Sequence, residues 1–247
     1  MNLVVTVCSG LLTWLGYYLV AGFFGNESPI FIASLAVGVM AAHECGHMIG
    51  MRLCKIRSTL RFFVIGAGVK PVPHDELRYH RLPWDRLTFV YLAGVLVNIA
   101  IVMSAAILAH FQVISIRTLQ QVVNLNGFSI FYNLMPMPFL SSDGSKFLKL
   151  LFDSADERTD NHLLWTLALI MYMATGLVIV VAFNTTFLLA VGLTFWGLRK
   201  SVKHSDPTAH KNHHALTPFE RYGWLTVYII IFVVGLLFIT LPPWANK

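Results

Sequence analysis

Charge is what this sequence lacks most. Only 12% of its 247 residues are Asp, Glu, Lys or Arg, while 56% are hydrophobic. That is about half the ~25% charged content of soluble domains. A chain so poor in charge cannot cover itself as a water-soluble globule. Cysteine is scarce too: Cys8, Cys45 and Cys54 are an odd number, each within or at the end of an apolar run, which excludes a disulfide framework or a C-x-x-C site. There is no low-complexity tract and no fixed-period repeat, so solenoids are excluded. No basic segment precedes the first apolar run, and Leu3–Phe24 therefore reads as a retained first span rather than a cleaved signal. The net charge of +6 and pI near 9.3 would suit nucleic acid. The basic residues, however, fall in short loops between apolar runs, where they set membrane topology; no nucleic-acid partner is expected.

What the chain has is apolar runs long enough to cross a ~30 Å hydrocarbon layer. Expected spans are Leu3–Phe24, Ile30–Leu53, Leu87–Ala109, about Leu119–Met135, and Tyr222–Leu241. The stretch Leu163–Leu198 is long enough for two more, with a tight turn near Asn184-Thr185-Thr186. With the amino terminus inside, sixteen of the eighteen Lys and Arg lie on the cytoplasmic side, all but Arg117 and Lys247. That bias favours seven spans over the alternative of six. The expected fold is an all-α polytopic bundle forming one membrane domain over residues 1–247, with a core near 30–150 and additional spans within 163–241. Between spans two and three, Phe62–Pro71 is too short to cross as a helix. Its β-branched residues and glycines suit a short β-hairpin or re-entrant loop. Pro136 and Pro138 end the fourth span and free backbone groups, which at membrane depth must be satisfied by protein or a water-filled cavity.

Inside the second run stands His43-Glu44-Cys45-Gly46-His47, the only acidic or basic groups of that run before Arg52. Histidines four apart lie on one helix face, a turn from each other. Both imidazoles can then reach one tetrahedral zinc, and the glutamate beside the first can take a proton from the attacking water. Ionisable groups at bilayer depth are costly and so point to function. His43 lies nine residues from Arg52, roughly 14 Å from the inner surface at 1.5 Å per residue. Cys45 points away from the histidine face and reads as a packing residue. A catalytic zinc takes a third protein ligand, for which Asp143, His74, His80, Glu76 and His110 are candidates. Asp143 is the best placed, because spans two and four run in the same membrane direction and their inner ends can meet.

Together these residues resemble the site-2 protease family of intramembrane zinc metalloproteases. The resemblance covers roughly Ile30 to Leu150. It rests on His43-Glu44-x-x-His47, on Ala93-Gly94-x-x-x-Asn98, and on Asn133-Leu134-Met135-Pro136-x-Pro138 leading to Asp143-Gly144. It implies a zinc held by His43, His47 and Asp143, with Glu44 as general base. Asn98, with Asn133, would hold the substrate backbone or the developing oxyanion. The hairpin would guide an extended substrate by strand pairing, and the substrate would be a membrane protein cut in or near a transmembrane segment. The chain departs from the family pattern in three places. The extra pair Ser141-Ser142 lengthens the approach to Asp143, Ser145 replaces a second glycine, and Val95 stands where the family often has proline.

Two other classes compete. His210-x-x-His213-His214 together with His43 and His47 resembles the histidine boxes of membrane di-iron desaturases and hydroxylases. Those enzymes use about eight histidines in three boxes, and no third box is present here; His74 and His80 are six apart. The bland reading of His210–His214 is a solvated loop. A transporter-like protein using His43, Glu44 and His47 as an ion or proton relay would spread polar groups over several spans, yet spans one, five, six and seven are almost free of charge. As a protease the protein would be a multi-pass integral membrane enzyme, of the inner membrane if bacterial, with its site nearer the cytoplasm. No regulatory partner is legible in the sequence.

Overall fold

The structure, a computed structural model, describes residues 3–23, 28–63, 66–135, 142–152, 166, 170 and 218–240. Among them are seven helices and one antiparallel hairpin: α1 (Leu3–Phe23), α2 (Pro29–Leu53), β1 (Ser58–Phe63), β2 (Gly66–Pro71), α3 (Pro73–His80), α4 (Trp84–His110), α5 (Ile116–Leu134), α6 (Asp143–Phe152) and α7 (Pro218–Thr240). Three of these helices are long and apolar enough to cross a membrane: α2, α4, and α7 over Tyr222–Ile239. Large apolar side chains such as Leu19, Phe23, Ile30, Met103, Ile107 and Ile230 face outward, as a surface in contact with lipid requires. Apart from positions 166 and 170, the expected spans in 163–198, their connecting turn and the loop histidines His210, His213 and His214 lie outside the described residues.

Two elements differ from the sequence reading. The fourth run does form a helix, α5, but it is not among those apolar enough to cross a membrane. It carries Arg117, Gln120, Gln121, Asn124, Asn126 and Asn133, amides and a charge that lower its hydropathy. Asn126 is fully buried and its amide donates to the Val122 carbonyl at 2.8 Å, one turn back along the same helix. The second difference is α3, a short helix inside the basic segment. Pro73 occupies its first turn with Asp75 and Glu76, and Arg78 and His80 its last, a charge order that complements the helix dipole.

The chain divides between Ser129 and Ile130 into two compact units. In the first, α2 packs against α4, α1 and the hairpin. The β1 and β2 strands pair from Ser58↔Pro71 to Phe63↔Gly66, which realises the hairpin alternative expected after span two. Trp14 of α1 donates to the Ser34 hydroxyl of α2 at 3.1 Å. α2 begins at Pro29, preset for a first helical turn. It ends with Lys55 at positive φ: the Lys55 N–H donates to the Arg52 carbonyl and the Ile56 N–H to Met51, both at 2.9 Å. This is the closure usually given to glycine, here sealed by the buried Ile56. Gln112, also at positive φ, closes α4 in the same way: its N–H donates to the Ala109 carbonyl and the Val113 N–H to Leu108.

In the second unit, α6 packs on α7. Phe147 stacks on Tyr228 with ring centroids 5.4 Å apart and meets Trp224 edge to face. The Tyr228 hydroxyl donates to the Leu134 carbonyl at the end of α5, a backbone acceptor that the helix itself leaves unused.

Candidate metal centre

The centre starts on α2. His43 is 1% exposed, His47 6% and Glu44 8%. The two imidazoles meet edge to face, with Nε2 atoms 3.1 Å apart, as the four-residue spacing predicts. A helix alone does not fix the rings' rotation; α4 does. His47 Nδ1 lies 2.7 Å from the Val90 carbonyl, and a carbonyl only accepts. Nδ1 therefore carries the proton, and Nε2 presents its lone pair toward His43. An outer hydrogen bond of this kind selects the ligating tautomer and orients the ring.

α4 can approach that closely because the crossing is built from small residues. Gly46 faces the Ala93 carbonyl and the Gly94 Cα, and Gly50 faces Ala93 and Val90. As α2 advances from Gly46 to Gly50, the facing residues of α4 step back from Gly94 to Val90, so the helices run antiparallel. A Cβ on Gly46 would stand 2.6 Å from the Ala93 carbonyl oxygen, against backbone that cannot swing aside. The pair Gly46-x-x-x-Gly50 is the sequence signal for such a crossing. It went unused in the sequence reading, which also missed the Val90 carbonyl.

Asn98 lies one turn beyond Gly94 on α4. It is fully buried, and neither its amide nitrogen nor its oxygen has a hydrogen-bond partner among the described residues. Leaving a buried amide unpaired costs about 1–3 kcal/mol, which makes Asn98 a candidate to bind a polar group. Asn133 is half-buried on α5.

Asp143 opens α6 and is 9% exposed. Ser142 stands directly before it. Its hydroxyl donates to the Met135 carbonyl at 2.8 Å and accepts from the Ser145 N–H at 3.2 Å. It thereby caps α6 and fixes the backbone at Asp143. Gly144 lies against α5, where a Cβ would run into the Leu134 carbonyl. Lys146 pairs with Asp143 at 3.8 Å.

Each of His43, His47 and Asp143 can offer one ligand atom to a metal ion; the two histidines stand together on α2, and Asp143 opens α6. The remaining candidates are on other elements. His74, Glu76 and His80 are on α3, and His110 is exposed at the end of α4. His74 is instead engaged with Arg57, whose backbone N–H also donates to the Asp75 carboxylate at 3.0 Å. That bond first, then the neighbouring His74 and Arg57 charges, hold the Asp75 carboxyl below the ordinary carboxylate range. Just past the C-terminus of α2, burial pushes the Cys54 thiol up, with Arg86 opposing and Asp85 adding to the shift.

No protein-family model matches this sequence, and no curated protein matches it.

Proposed function

We propose that this protein is an intramembrane zinc metalloprotease with a seven-span topology, cutting a peptide bond in or beside a transmembrane segment of another membrane protein. The observation that carries the reading is the pair of buried imidazoles converging at 3.1 Å on an apolar helix, beside a buried glutamate. Two nitrogens about 2.0–2.1 Å from a tetrahedral zinc stand roughly 3.4 Å apart. The observed separation needs only a small adjustment to match, and the donor set of two histidines and an aspartate suits zinc with one position left for chemistry.

His43, His47 and Asp143 would hold the metal, which when bound supplies a Lewis acid able to polarise a carbonyl and acidify a water. Glu44 would accept the proton of the attacking water and deliver it to the leaving amine. Asn98, its amide unpaired, would accept or donate to the substrate backbone and steady the developing oxyanion. Helical substrate backbone hides its carbonyls in i→i−4 bonds, so the substrate must unwind before attack. The edge of the hairpin would hold an unwound segment by strand addition.

The test is Glu44→Gln, assayed by cleavage of co-expressed single-span membrane proteins together with metal analysis. The variant keeps size and hydrogen-bonding reach but accepts no proton. Zinc content should match the wild type while turnover falls by at least the ~10²–10⁴ of lost acid–base catalysis. A di-iron oxidase predicts the opposite: iron in the wild type, lost when His210, His213 and His214 are all changed to alanine. In the protease those three substitutions leave cleavage nearly intact. A Glu44→Gln variant that still cleaves at the wild-type rate ends the protease reading.

A further inference from the structure

Gly94 stands where α4 passes the two imidazoles, one turn from Val90 on one side and from Asn98 on the other. A Cβ built on it would lie 2.6 Å from His43 Nε2, 2.6 Å from His47 Nε2 and 2.7 Å from His43 Cε1. Each distance is far inside the contact distance of about 3.5 Å for non-bonded heavy atoms. The obstruction is also specific, because it falls on the two atoms that would ligate. Gly38 and Gly22 face nothing within 4 Å, and Gly50 meets Ala93 and Val90.

We propose that Gly94 is a positioning residue for the metal: its missing side chain keeps the volume in front of both ligand nitrogens open. The inference rests on the metal-site reading above and deepens it. A methyl group equidistant from two nitrogens that are 3.1 Å apart sits roughly 2.1 Å from their midpoint. An ion about 2.0–2.1 Å from both sits within roughly 1.4 Å of the same midpoint. The methyl would therefore stand within contact distance of the ion, about 3.5 Å at most, and would press on both ligand nitrogens unless the rings swing away. His47 cannot swing without breaking its bond to the Val90 carbonyl. Either response removes the two-histidine seat. On this account α2 supplies the ligands, and α4 decides that they can be used, through a carbonyl that orients one ring and a glycine that leaves room for the ion.

The alternative is that Gly94 serves only the helix crossing, as Gly50 does. Full-length protein in detergent separates the two ideas, with zinc stoichiometry after dialysis as the readout. Gly94→Ala should bind zinc at least about tenfold more weakly than the wild type, within the ~10–100-fold range for disturbing a ligand's surroundings. Gly50→Ala, which tightens the same crossing away from the nitrogens, should keep one zinc per chain. A second measurement covers the case in which Gly94→Ala does not fold. Introduced into the His43→Ala/His47→Ala background, Gly94→Ala should fold and shift the unfolding midpoint little, because the obstructing rings are gone. Wild-type zinc affinity in Gly94→Ala overturns the proposal, and so does equal destabilisation by Gly94→Ala with and without the two imidazoles. Should the wild type itself hold no metal, the metal-site reading fails, and the unfolding comparison in the two backgrounds still decides whether Gly94 makes room for the rings.

Discussion

His43 and His47 present their Nε2 atoms to each other at 3.1 Å, and the Val90 carbonyl determines which of them carries a proton. With Nδ1–H of His47 committed to that carbonyl, His47 Nε2 can only accept, and His43 Nε2–H is the donor that joins them. In the proposed centre a metal ion would take the place of that proton, with a small widening of the 3.1 Å separation. The first prediction follows. Purified protein should contain about one zinc per chain, lost in His43→Ala, His47→Ala and Asp143→Ala, with a fall in affinity beyond the ~10–100-fold of outer-partner changes. Full zinc occupancy in Asp143→Ala would pass the third-ligand role to another group.

Glycines along α2 should respond in opposite directions to the same substitution. A Cβ on Gly50 would stand 3.2 Å from the Ala93 Cβ and 3.3 Å from the Val90 Cα. Overpacking of that kind costs about 1–3 kcal/mol. Gly38 has nothing within 4 Å, so Gly38→Ala should stabilise, by up to about 1 kcal/mol from helix propensity. Thermal unfolding in detergent reads both. Equal effects at the two positions would contradict the close α2–α4 crossing.

Asp75 makes the hairpin-to-α3 junction sensitive to acid. The Arg57 N–H holds its carboxyl below the ordinary value in the folded chain. A depressed folded pKa means that the contribution is complete above the unfolded value, near ~3.9, and is lost as pH falls through the folded one. The amide resonance of Arg57 should therefore titrate with a midpoint below the ordinary carboxylate range, and Asp75→Asn should abolish that titration. A midpoint at or above the ordinary value would remove the bond from the account.

Topology can be read by reporters. Fusions after Arg57, Ser154 or Lys211 should report the cytoplasm, and fusions after Arg117 or Lys247 the opposite side, following the sixteen-to-two division of Lys and Arg. An external Lys211 would remove one span between Leu163 and Leu198 and leave six.

The sequence by itself determined that α2 and α4 are long apolar helices, since an apolar run of span length closes its own backbone bonds. It determined that His43 and His47 share a face, because the helical period is local and needs no partner. The glycine-bearing stretch ahead of Pro71 allowed a hairpin or a re-entrant loop, and the pairing of β1 with β2 chose the hairpin. α3 was also legible, through Pro73 and the acidic-then-basic order of its ends, but the surrounding positive charge obscured it. The ring orientation of His47, the proximity of Gly94 to both imidazoles and the hold of Tyr228 on the Leu134 carbonyl were decided by tertiary structure alone. Each of these joins residues from different helices, and a one-dimensional period fixes which face a side chain occupies without fixing what stands opposite it. A backbone carbonyl or a missing Cβ carries no side-chain signature at all. Val90 and Gly94 reach the two imidazoles only because α4 lies across α2.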